Sequence, residues 1–581
     1  MPDINCVLTE CFSVLSREYE LEWVQYIPCA GQRQEVSVPV WRLVIQAEID
    51  ENATDVEVFM AFPRGFPYEL PVVIVQDQRF RGLPHISAEN GKICLYENGV
   101  SYNAENIIGI IRTSIKRTRN WIELSINQDN NQEYAKEIKD YWRERYNGED
   151  EAVDDSGILW GDIPKETCLL KGFTYLKRDY EHNKDFTQAI LYSNENSQDV
   201  IHLKEVYKIE EFEAIYLSSI QISKCPPYSM TGQCLIDSII SKSDKALFKQ
   251  YINKYGKGYI FFPINFDYAV GGVYISNLNV KRNGFRRGVL TPYKVITSFE
   301  NKSKKLERLL FSCYNEVRIA KRTAGQMMES RQFSIAGLGS VGSNLCYYLN
   351  GYNNAQFTLI DNDMLSVDNI GRHLLGFEYL NQRKTFALSH YLTSYRPDRK
   401  VKSISRKIQE VSYEIINNTD ALFLCTGDIM SEKWALDKLL ICEINKPVFI
   451  LWLEPYGVSG VMIYINPYDE SSIKQLKIAS DDRFLNYCLI DRTEYHSEMK
   501  LTQRDVGCNG QYALYSANDV MLFLSGMFPY IDWLINNATE KTQIYQWVGN
   551  IDIANQKNII LKERAKGLTK NEIIKLTPGQ N

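Results

Sequence analysis

The sequence lacks the features that would mark a secreted, zinc-ribbon or membrane protein. Its 13 cysteines are odd in number and form no CxxC pair, which excludes a zinc ribbon and a disulfide framework. The longest uncharged stretch, residues 332–360, is broken by glycine and asparagine, whereas a membrane span needs about 20 apolar residues. Residues 1–5 carry an acid where a secretory signal carries a base. We therefore expect a cytoplasmic protein with no membrane contact.

The chain also lacks a basic excess. Its formal charge is −6 and its isoelectric point is near 5.8, which argues against a bulk-basic nucleic-acid binder, so no direct nucleic-acid contact is expected. With 581 residues, the chain has room for three or four domains. We predict an N-terminal domain at 1–147, an acidic linker at 148–157, a middle domain at 158–310 and a C-terminal domain at 311–581.

These segments differ in pattern. The first shows strand-like runs at 41–49 and 56–60 and a helical pattern at 107–125, which predicts an α+β domain. The middle segment carries strand-like runs at 259–262 and 272–275 but no motif tied to chemistry, and we expect an α/β or α+β domain there. In the last segment, five short apolar strands (333–336, 357–360, 421–425, 448–453 and 461–465) alternate with helical patterns, which predicts a doubly wound, Rossmann-like α/β sheet.

A glycine-rich loop follows the first of those five strands. Gly337, Gly339 and Gly342 permit a tight turn and a close approach of the backbone to phosphate at the start of a helix. Asp361 ends the next strand, where a carboxylate can accept hydrogen bonds from ribose. This pattern alone leaves two classes open, a nicotinamide dehydrogenase and an enzyme that uses ATP.

The residues that follow favour ATP. Nucleotidyl transfer builds negative charge on phosphate and needs cations and a metal-binding carboxylate, which hydride transfer does not. Arg372 and Lys384 suit that charge, and Asp428, at the end of a central strand, suits Mg²⁺. The predicted nucleotide-binding set is Gly337, Gly339, Gly342, Asp361, Asp363, Asn369, Arg372, Lys384 and Asp428.

This order of motifs resembles the ThiF/MoeB and ubiquitin-activating adenylation family. The resemblance implies that Mg-ATP adenylates the C-terminal carboxylate of a small protein. It also implies that the three glycines lie under the phosphates, Asp361 contacts the ribose, Asn369, Arg372 and Lys384 surround the phosphates, and Asp428 binds the metal. The family's Arg-Gln pair reads Arg372-His373 here, and its zinc-binding CxxC pairs are absent.

Two cysteines stand in suggestive contexts. Cys508 lies in a polar, glycine-flanked segment near Arg504, before a helical pattern at 513–523 whose N-terminus would lower the thiol pKa. In the ubiquitin-activating branch, such a cysteine receives the acyl group. Cys425 and Cys346 have apolar neighbours and are predicted to be structural.

Cys94 lies in the N-terminal domain. Residues 61–71, rich in proline and aromatics, and the sequence 91–95 around Cys94 resemble a ubiquitin-conjugating domain, in which this cysteine forms a thioester. The family's His-Pro-Asn reads Pro84-His85-Ile86 here, so its oxyanion-supporting asparagine must be replaced. Asn90, Asn98 and Asn103 are candidates, and His85 is a possible orienting group. An inactive, conjugating-like interaction module remains the alternative.

Together the two ends resemble the fused ubiquitin-activating and ubiquitin-conjugating proteins of bacterial antiphage CBASS operons. The resemblance implies a cGAS-like nucleotidyltransferase as the modifier, lysines as targets, a homodimer through the adenylation domain, and an inactive adenylation-like middle domain. It also implies passage of the acyl group from Cys508 to Cys94. A sulfur-carrier adenylyltransferase, and an adenylation enzyme whose conjugating-like domain only binds, remain alternatives.

Overall fold

The structure, a computed structural model, describes residues 4–29, 32–96, 99–127, 142, 155–195, 197–221, 230–264, 269–276, 290–296, 298, 305–324, 329–492, 501–504, 511–537, 539 and 541–579. Among those residues, none of the helices combines the length and the apolar character needed to cross a bilayer.

The N-terminal domain is an antiparallel five-stranded sheet covered by helices. In its third strand, Val56 and Val58 are buried on either side of the exposed Glu57, and residues 58–61 are all buried, so this end of the strand is covered on both faces. The predicted strands at 41–49 and 56–60 and the helix at 107–125 are confirmed. The elements are α1 (Ile4–Leu15), β1 (Glu20–Cys29), β2 (Gln32–Ile49), β3 (Asn52–Ala61), β4 (Val72–Val75), β5 (Lys92–Ile93) and α2 (Ile107–Asn127), with strands paired in chain order.

The middle segment forms a closed barrel of mixed strands. Its strands pair in the order β10-β11-β12-β6-β8-β7-β9, and a parallel β9–β10 pair closes it. Phe261 belongs to one apolar cluster, while Ile260 and Phe262 pack with the helices, so the former lies inside. The elements are β6 (Asp155–Trp160), β7 (Cys168–Asp179), β8 (Lys184–Tyr192), α3 (Gln198–Tyr207), β9 (Glu210–Tyr216), α4 (Gly232–Ser238), α5 (Lys242–Tyr255), β10 (Gly258–Pro263), β11 (Ala269–Ile275), α6 (Pro292–Ile296) and β12 (Glu307–Tyr314).

The barrel strands cross two predicted domain boundaries, because β6 begins before the predicted linker ends at 157 and β12 runs beyond 310. The inactive adenylation-like character of the middle domain stays a prediction. The predicted acidic linker ends at Gly157, but this residue belongs to β6 and lies inside the barrel wall. A Cβ there would lie 2.3 Å from the Ala189 carbonyl oxygen, so close packing requires glycine. The parallel β6–β12 pair joins residues about 150 positions apart, and local patterns do not reveal such pairs.

Trp142 also belongs to the barrel, although it precedes the predicted linker. Its side chain is fully buried in the cluster that joins the barrel to α4 and α5. The indole N–H donates to the Leu309 carbonyl (2.8 Å), and the Arg308 guanidinium donates to the Trp142 carbonyl (2.8 Å). The structural domain therefore includes this residue.

The C-terminal sheet lies in a compact unit that comprises residues 197–203 and 319–581. Its strands are ordered β15-β14-β13-β16-β17-β18-β21-β22, the first five parallel and the last three antiparallel. The five predicted strands and the doubly wound order are confirmed. From β13, successive strands are added first on one side of the sheet (β14, β15) and then on the other (β16, β17). This switch in strand order opens a crevice at the carboxyl ends of β13 and β16.

The elements of this part of the chain are α7 (Glu316–Ala324), β13 (Gln332–Ala336), α8 (Ser340–Leu349), β14 (Gln356–Ile360), α9 (Lys384–Tyr395), β15 (Lys400–Ile404), α10 (Tyr413–Asn417), β16 (Ala421–Leu424), α11 (Ile429–Leu440), β17 (Val448–Leu453), β18 (Ser459–Ile465), α12 (Glu470–Asp481), β19 (Thr502–Arg504), β20 (Gln511–Ala513), α13 (Ala517–Asn536), β21 (Gln543–Val548), α14 (Ile551–Lys557) and β22 (Ile573–Leu576).

We predict that Trp142→Ala lowers the stability of the barrel by about 3–5 kcal/mol, the usual cost of removing a buried aromatic side chain. Hydrogen exchange of peptides from β10 to β12 measures this loss. Trp533→Ala serves as the control because Trp533 is 50% exposed, and its effect on those peptides should be negligible. Equal protection of the barrel peptides in wild type and Trp142→Ala would contradict the assignment.

Candidate functional site

The glycine loop lies between β13 and α8, and its conformation depends on glycine. Gly337 has a φ of +84°, and a Cβ on Gly342 would lie 1.9 Å from the Gly337 carbonyl oxygen. A Cβ on Gly339 would meet no atom within 4 Å, so this point of the loop faces open space. The loop therefore leaves room for a phosphate group beside the first N–H groups of a helix.

The backbone of Leu338 is held through both its N–H and its carbonyl group. Its N–H donates to Asp361 Oδ2 (2.6 Å), and its carbonyl accepts a hydrogen bond from His373 Nε2 (2.8 Å). His373 Nδ1 accepts from the Leu375 N–H (3.0 Å), which fixes the neutral tautomer. Burial lowers the pKa of His373 to about 4. The histidine that replaces the family's glutamine thus supports the loop.

The predicted cations lie on neighbouring segments. Lys384, the first residue of α9, is buried, and its Nζ lies 3.1 Å from Asp363 Oδ2. The Arg372 guanidinium lies over the Tyr515 ring (4.7 Å to the centroid) and donates to the Ala513 carbonyl (2.7 Å). Asp363 is exposed and holds Lys384, while Asp361 also accepts from the Asp363 N–H (2.7 Å).

Asp428 caps helix α11. Its carboxylate accepts from the Met430 and Ser431 N–H groups (3.2 Å each) and from the Ser431 hydroxyl (2.7 Å), and the residue is exposed. One turn later, Glu432 is buried, and desolvation together with the Asp428 charge raises its pKa to about 7.

A magnesium ion requires oxygen ligands in near-octahedral geometry. Within the part of the chain that the structure describes, no three His, Cys, Asp or Glu side chains are grouped as metal ligands. One carboxylate suffices where substrate phosphates complete the octahedron, so Asp428 fits a magnesium ion held jointly with a nucleotide. It does not fit an all-protein metal cage.

One cleft of about 720 Å³ brings the predicted residues together at the carboxyl ends of β13, β16 and β17. Gly339, Asn369, Arg372, Lys384 and Asp428 line it, whereas Gly337, Gly342, Asp361 and Asp363 support it from outside the lining. Sequence reasoning missed further lining residues. Glu432 could have been found from the sequence, because it lies one helical turn after Asp428. No sequence pattern marks Trp452, Phe484 or Tyr515. Those further lining residues are Glu432, Trp452, Arg483, Phe484, Arg492 and Tyr515.

Cys508 lies outside the described residues, but the strands that flank it are described. β19 and β20 form a hairpin in which Arg504 pairs with Gln511. The predicted helix at 513–523 begins instead at Ala517, because a capping box of Ser516 and Asp519 sets its first turn. The box uses the N–H groups of Ser516 and Asp519, and it places the Asp519 carboxylate in the first turn of the helix. The effect of the helix on Cys508 stays a prediction.

The other cysteines fall into two groups. Burial raises the pKa of Cys425 and Cys346 well above the usual value, which agrees with the structural role predicted for them. Cys94 is exposed, directly after β5. Its N–H donates to the His85 carbonyl (2.7 Å), and the His85 ring packs against Trp121 with centroids 4.0 Å apart and planes tilted by 44°.

Comparison with known families agrees with this architecture. The ThiF family model matches residues 316–530, and the Prokaryotic E2 family B model matches residues 32–149. The chain therefore combines a ThiF-family adenylation domain with a prokaryotic E2 domain, the organisation of a fused ubiquitin-activating and ubiquitin-conjugating-like protein.

Among individual proteins, the chain is 27% identical over 132 residues to the ATP-dependent ubiquitin transferase-like protein Cap2 of Enterobacter hormaechei subsp. hoffmannii (strain UCI 50). The match covers 21% of this chain and 22% of that relative. Solved structures of selenomethionine PaaA and of E. coli MccB with ATP match 43% of this chain and 64% of theirs. Their identities are 13% and 12% and their TM-scores 0.29 and 0.28, values that carry no conclusion.

We predict that acid destabilises the adenylation domain through His373. A folded-state pKa of about 4, below the ordinary 6.5, means that stability is complete above pH 6.5 and is lost as pH falls towards 4. The shift corresponds to about 3 kcal/mol at most. His373→Gln keeps one donor and one acceptor but does not titrate. The urea midpoint of this domain should therefore fall less steeply with decreasing pH in the variant than in the wild type. Identical slopes of urea midpoint against pH would contradict the prediction.

Proposed function

We propose that this protein is an ATP-dependent protein ligase that activates the C-terminal carboxylate of a protein modifier and passes it along two cysteines to a lysine. The cleft of the ThiF-family domain is the adenylation site. Gly337, Gly339 and Gly342 shape the loop under the phosphates, Asn369 lines the cleft beside them, and Asp361, with lone pairs left beyond its two backbone bonds, accepts from the ribose.

The first step forms an acyl adenylate. A carboxylate oxygen of the modifier attacks the α-phosphorus of ATP, and the bond to the β-phosphate oxygen breaks to release pyrophosphate. Arg372 and Lys384, held by Tyr515 and Asp363, offset the charge that develops on the phosphates. Asp428 would hold Mg²⁺, which supplies further charge neutralisation when bound.

The observation that carries the proposal is the attachment of the Cys508 hairpin to this cleft. Arg372 donates to the carbonyl of Ala513, where β20 ends, and the Tyr515 hydroxyl bonds to Ser340 Oγ (2.8 Å) at the start of α8. Ala513 and Tyr515, five and seven residues after Cys508 in the sequence, line the cleft. This placement supports Cys508 as the thiolate that attacks the acyl adenylate, expelling AMP and forming a thioester.

The later steps use the conjugating-like domain. Cys94 accepts the acyl group from Cys508 by thioester exchange, and a target lysine then takes it in an amide bond. The exposure of Cys94 on a Prokaryotic E2 family B domain supports this role. The modifier that we propose is a cGAS-like nucleotidyltransferase of an antiphage CBASS operon, in line with the Cap2 relative.

A homodimer through the adenylation domain is part of the proposal. Tyr347 of α8 and Tyr395 of α9 are 43% and 58% exposed, with ring centroids 6.2 Å apart. Exposed aromatic side chains grouped on neighbouring helices are typical of protein interfaces.

Non-reducing gels with ATP and the candidate nucleotidyltransferase test the relay. We expect adducts sensitive to dithiothreitol on both cysteines. Cys508→Ala should abolish all of them, because activation feeds the relay through this thiol, and Cys94→Ala should leave only the adduct on Cys508. Cys442→Ala, another exposed thiol, is the matched control and should change nothing.

The same gels separate the alternatives. Product formation unchanged by Cys94→Ala would reduce the N-terminal domain to a binding module. Pyrophosphate release without any thiol adduct would indicate a sulfur-carrier adenylyltransferase. Hydride transfer to a nicotinamide without pyrophosphate release would indicate that the glycine loop belongs to a dehydrogenase.

We further predict that Gly339→Ala weakens ATP binding at least tenfold without unfolding the loop. The φ of Gly339 is −76°, which alanine adopts, and the new methyl group would enter the open space beneath the phosphates. Gly376→Ala, where a Cβ also meets no atom within 4 Å, is the control. Calorimetric titration with ATP measures both, and equal affinities would contradict the placement of the phosphates.

A further inference from the structure

The segment that carries Cys94 is fixed to the N-terminal domain at several points. The Cys94 N–H donates to the His85 carbonyl (2.7 Å), and the thiol donates to the Tyr96 carbonyl (Sγ–O 3.9 Å). Tyr96 is anchored in turn, because its hydroxyl bonds to Ser114 Oγ (2.7 Å) in helix α2. The cysteine is thus exposed on a positioned backbone.

The asparagines considered as oxyanion donors are used differently. Asn90 Oδ1 accepts from the Lys92 N–H (2.9 Å), and Asn103 Oδ1 accepts from the Glu105 N–H (3.0 Å), so both shape turns of their own loops. Asn98 lies outside the described residues. The contacts of Asn90 and Asn103 give neither of them a link to Cys94.

Arg117 of helix α2 reaches this segment instead. Its Nη1 donates to the Leu95 carbonyl (2.8 Å), and its Cζ lies 4.7 Å from the centroid of the Tyr96 ring. These are the two residues that follow Cys94. A guanidinium carries five N–H donors, of which the Leu95 bond uses one, and this side chain is exposed. A cationic donor therefore contacts both residues that follow the candidate thioester cysteine.

We propose that Arg117 supports the oxyanion during aminolysis of the Cys94 thioester, in place of an asparagine. The amine nitrogen attacks the thioester carbonyl carbon, and the π electrons move to the oxygen, which Arg117 N–H groups stabilise. When the carbonyl re-forms, the carbon–sulfur bond breaks, Cys94 leaves as a thiolate and the amine proton passes to water. This inference rests on the proposed function of Cys94.

The test loads Cys94 without ATP, so it is independent of the adenylation domain. The full chain is acylated by exchange with a synthetic peptide thioester of mercaptoethanesulfonate, and free lysine is added. Mass spectrometry of the Cys94 peptide follows the loss of the acyl group, which separates it from acylation of the exposed Cys6, Cys234 and Cys442.

We expect Arg117→Gln to slow aminolysis by about 100-fold, the usual effect of removing one oxyanion donor. Arg117→Lys retains a cation and should recover at least tenfold of that loss. Arg112→Gln is the matched control, since Arg112 projects from the same helix and donates to Glu18 (3.1 Å), and it should react within twofold of wild type. Alkylation of Cys94 by iodoacetamide, measured at a pH at which the thiol is fully ionised, should proceed equally in all variants, because it forms no oxyanion.

Several results would overturn the inference. Aminolysis in Arg117→Gln within twofold of wild type excludes the role, and equal losses in Arg117→Gln and Arg117→Lys leave Arg117 only as a structural clamp. An alkylation rate that falls with aminolysis would show that the variant displaces the thiol. Failure of the proposed function has a different signature, because ATP then fails to load Cys94 while the chemically loaded thioester still responds to Arg117.

Discussion

The contact between Gly342 and the Gly337 carbonyl is the constraint on which the candidate nucleotide site depends. The first turn of α8 lies directly on the loop that precedes it, at a distance that no side chain permits. Asp361 and His373 then hold the Leu338 peptide from two sides. The loop is therefore formed before any nucleotide arrives, and binding energy need not be spent on ordering it.

Side-chain contacts also connect the start of α8 with the hairpin strand β20. Arg372 faces the cleft, yet its hydrogen bond goes to the backbone of Ala513, and Tyr515 joins the guanidinium to Ser340. A phosphate that binds the Arg372 guanidinium would contact a side chain that also donates a hydrogen bond to β20. These contacts join the first turn of α8 to the described end of β20.

The sequence predicted the nucleotide-binding sheet well because its signals are local. A strand, three glycines and an aspartate at the end of the next strand lie within about 30 residues. The barrel had no such signals, since closure depends on pairs such as β6 with β12 and on a glycine buried in an acidic segment. The sequence also showed no sign of roles that depend on how far a side chain reaches, such as those of His373 and Arg117. Nothing around position 373 indicates a loop support, and nothing around 117 indicates proximity to Cys94.

Closure of the barrel has a consequence for molecular recognition. In the closed part of the wall, every described strand has two hydrogen-bonded neighbours, and a protein that docks there must read side chains rather than add a strand. Residues 175–179 of β7 and 184–188 of β8 extend beyond β9 and β6 as a ribbon in which the two strands pair with each other. This ribbon and the edge strands of the open sheets, such as β15 and β22 of the eight-stranded sheet, are where an added strand would find open backbone among the described residues.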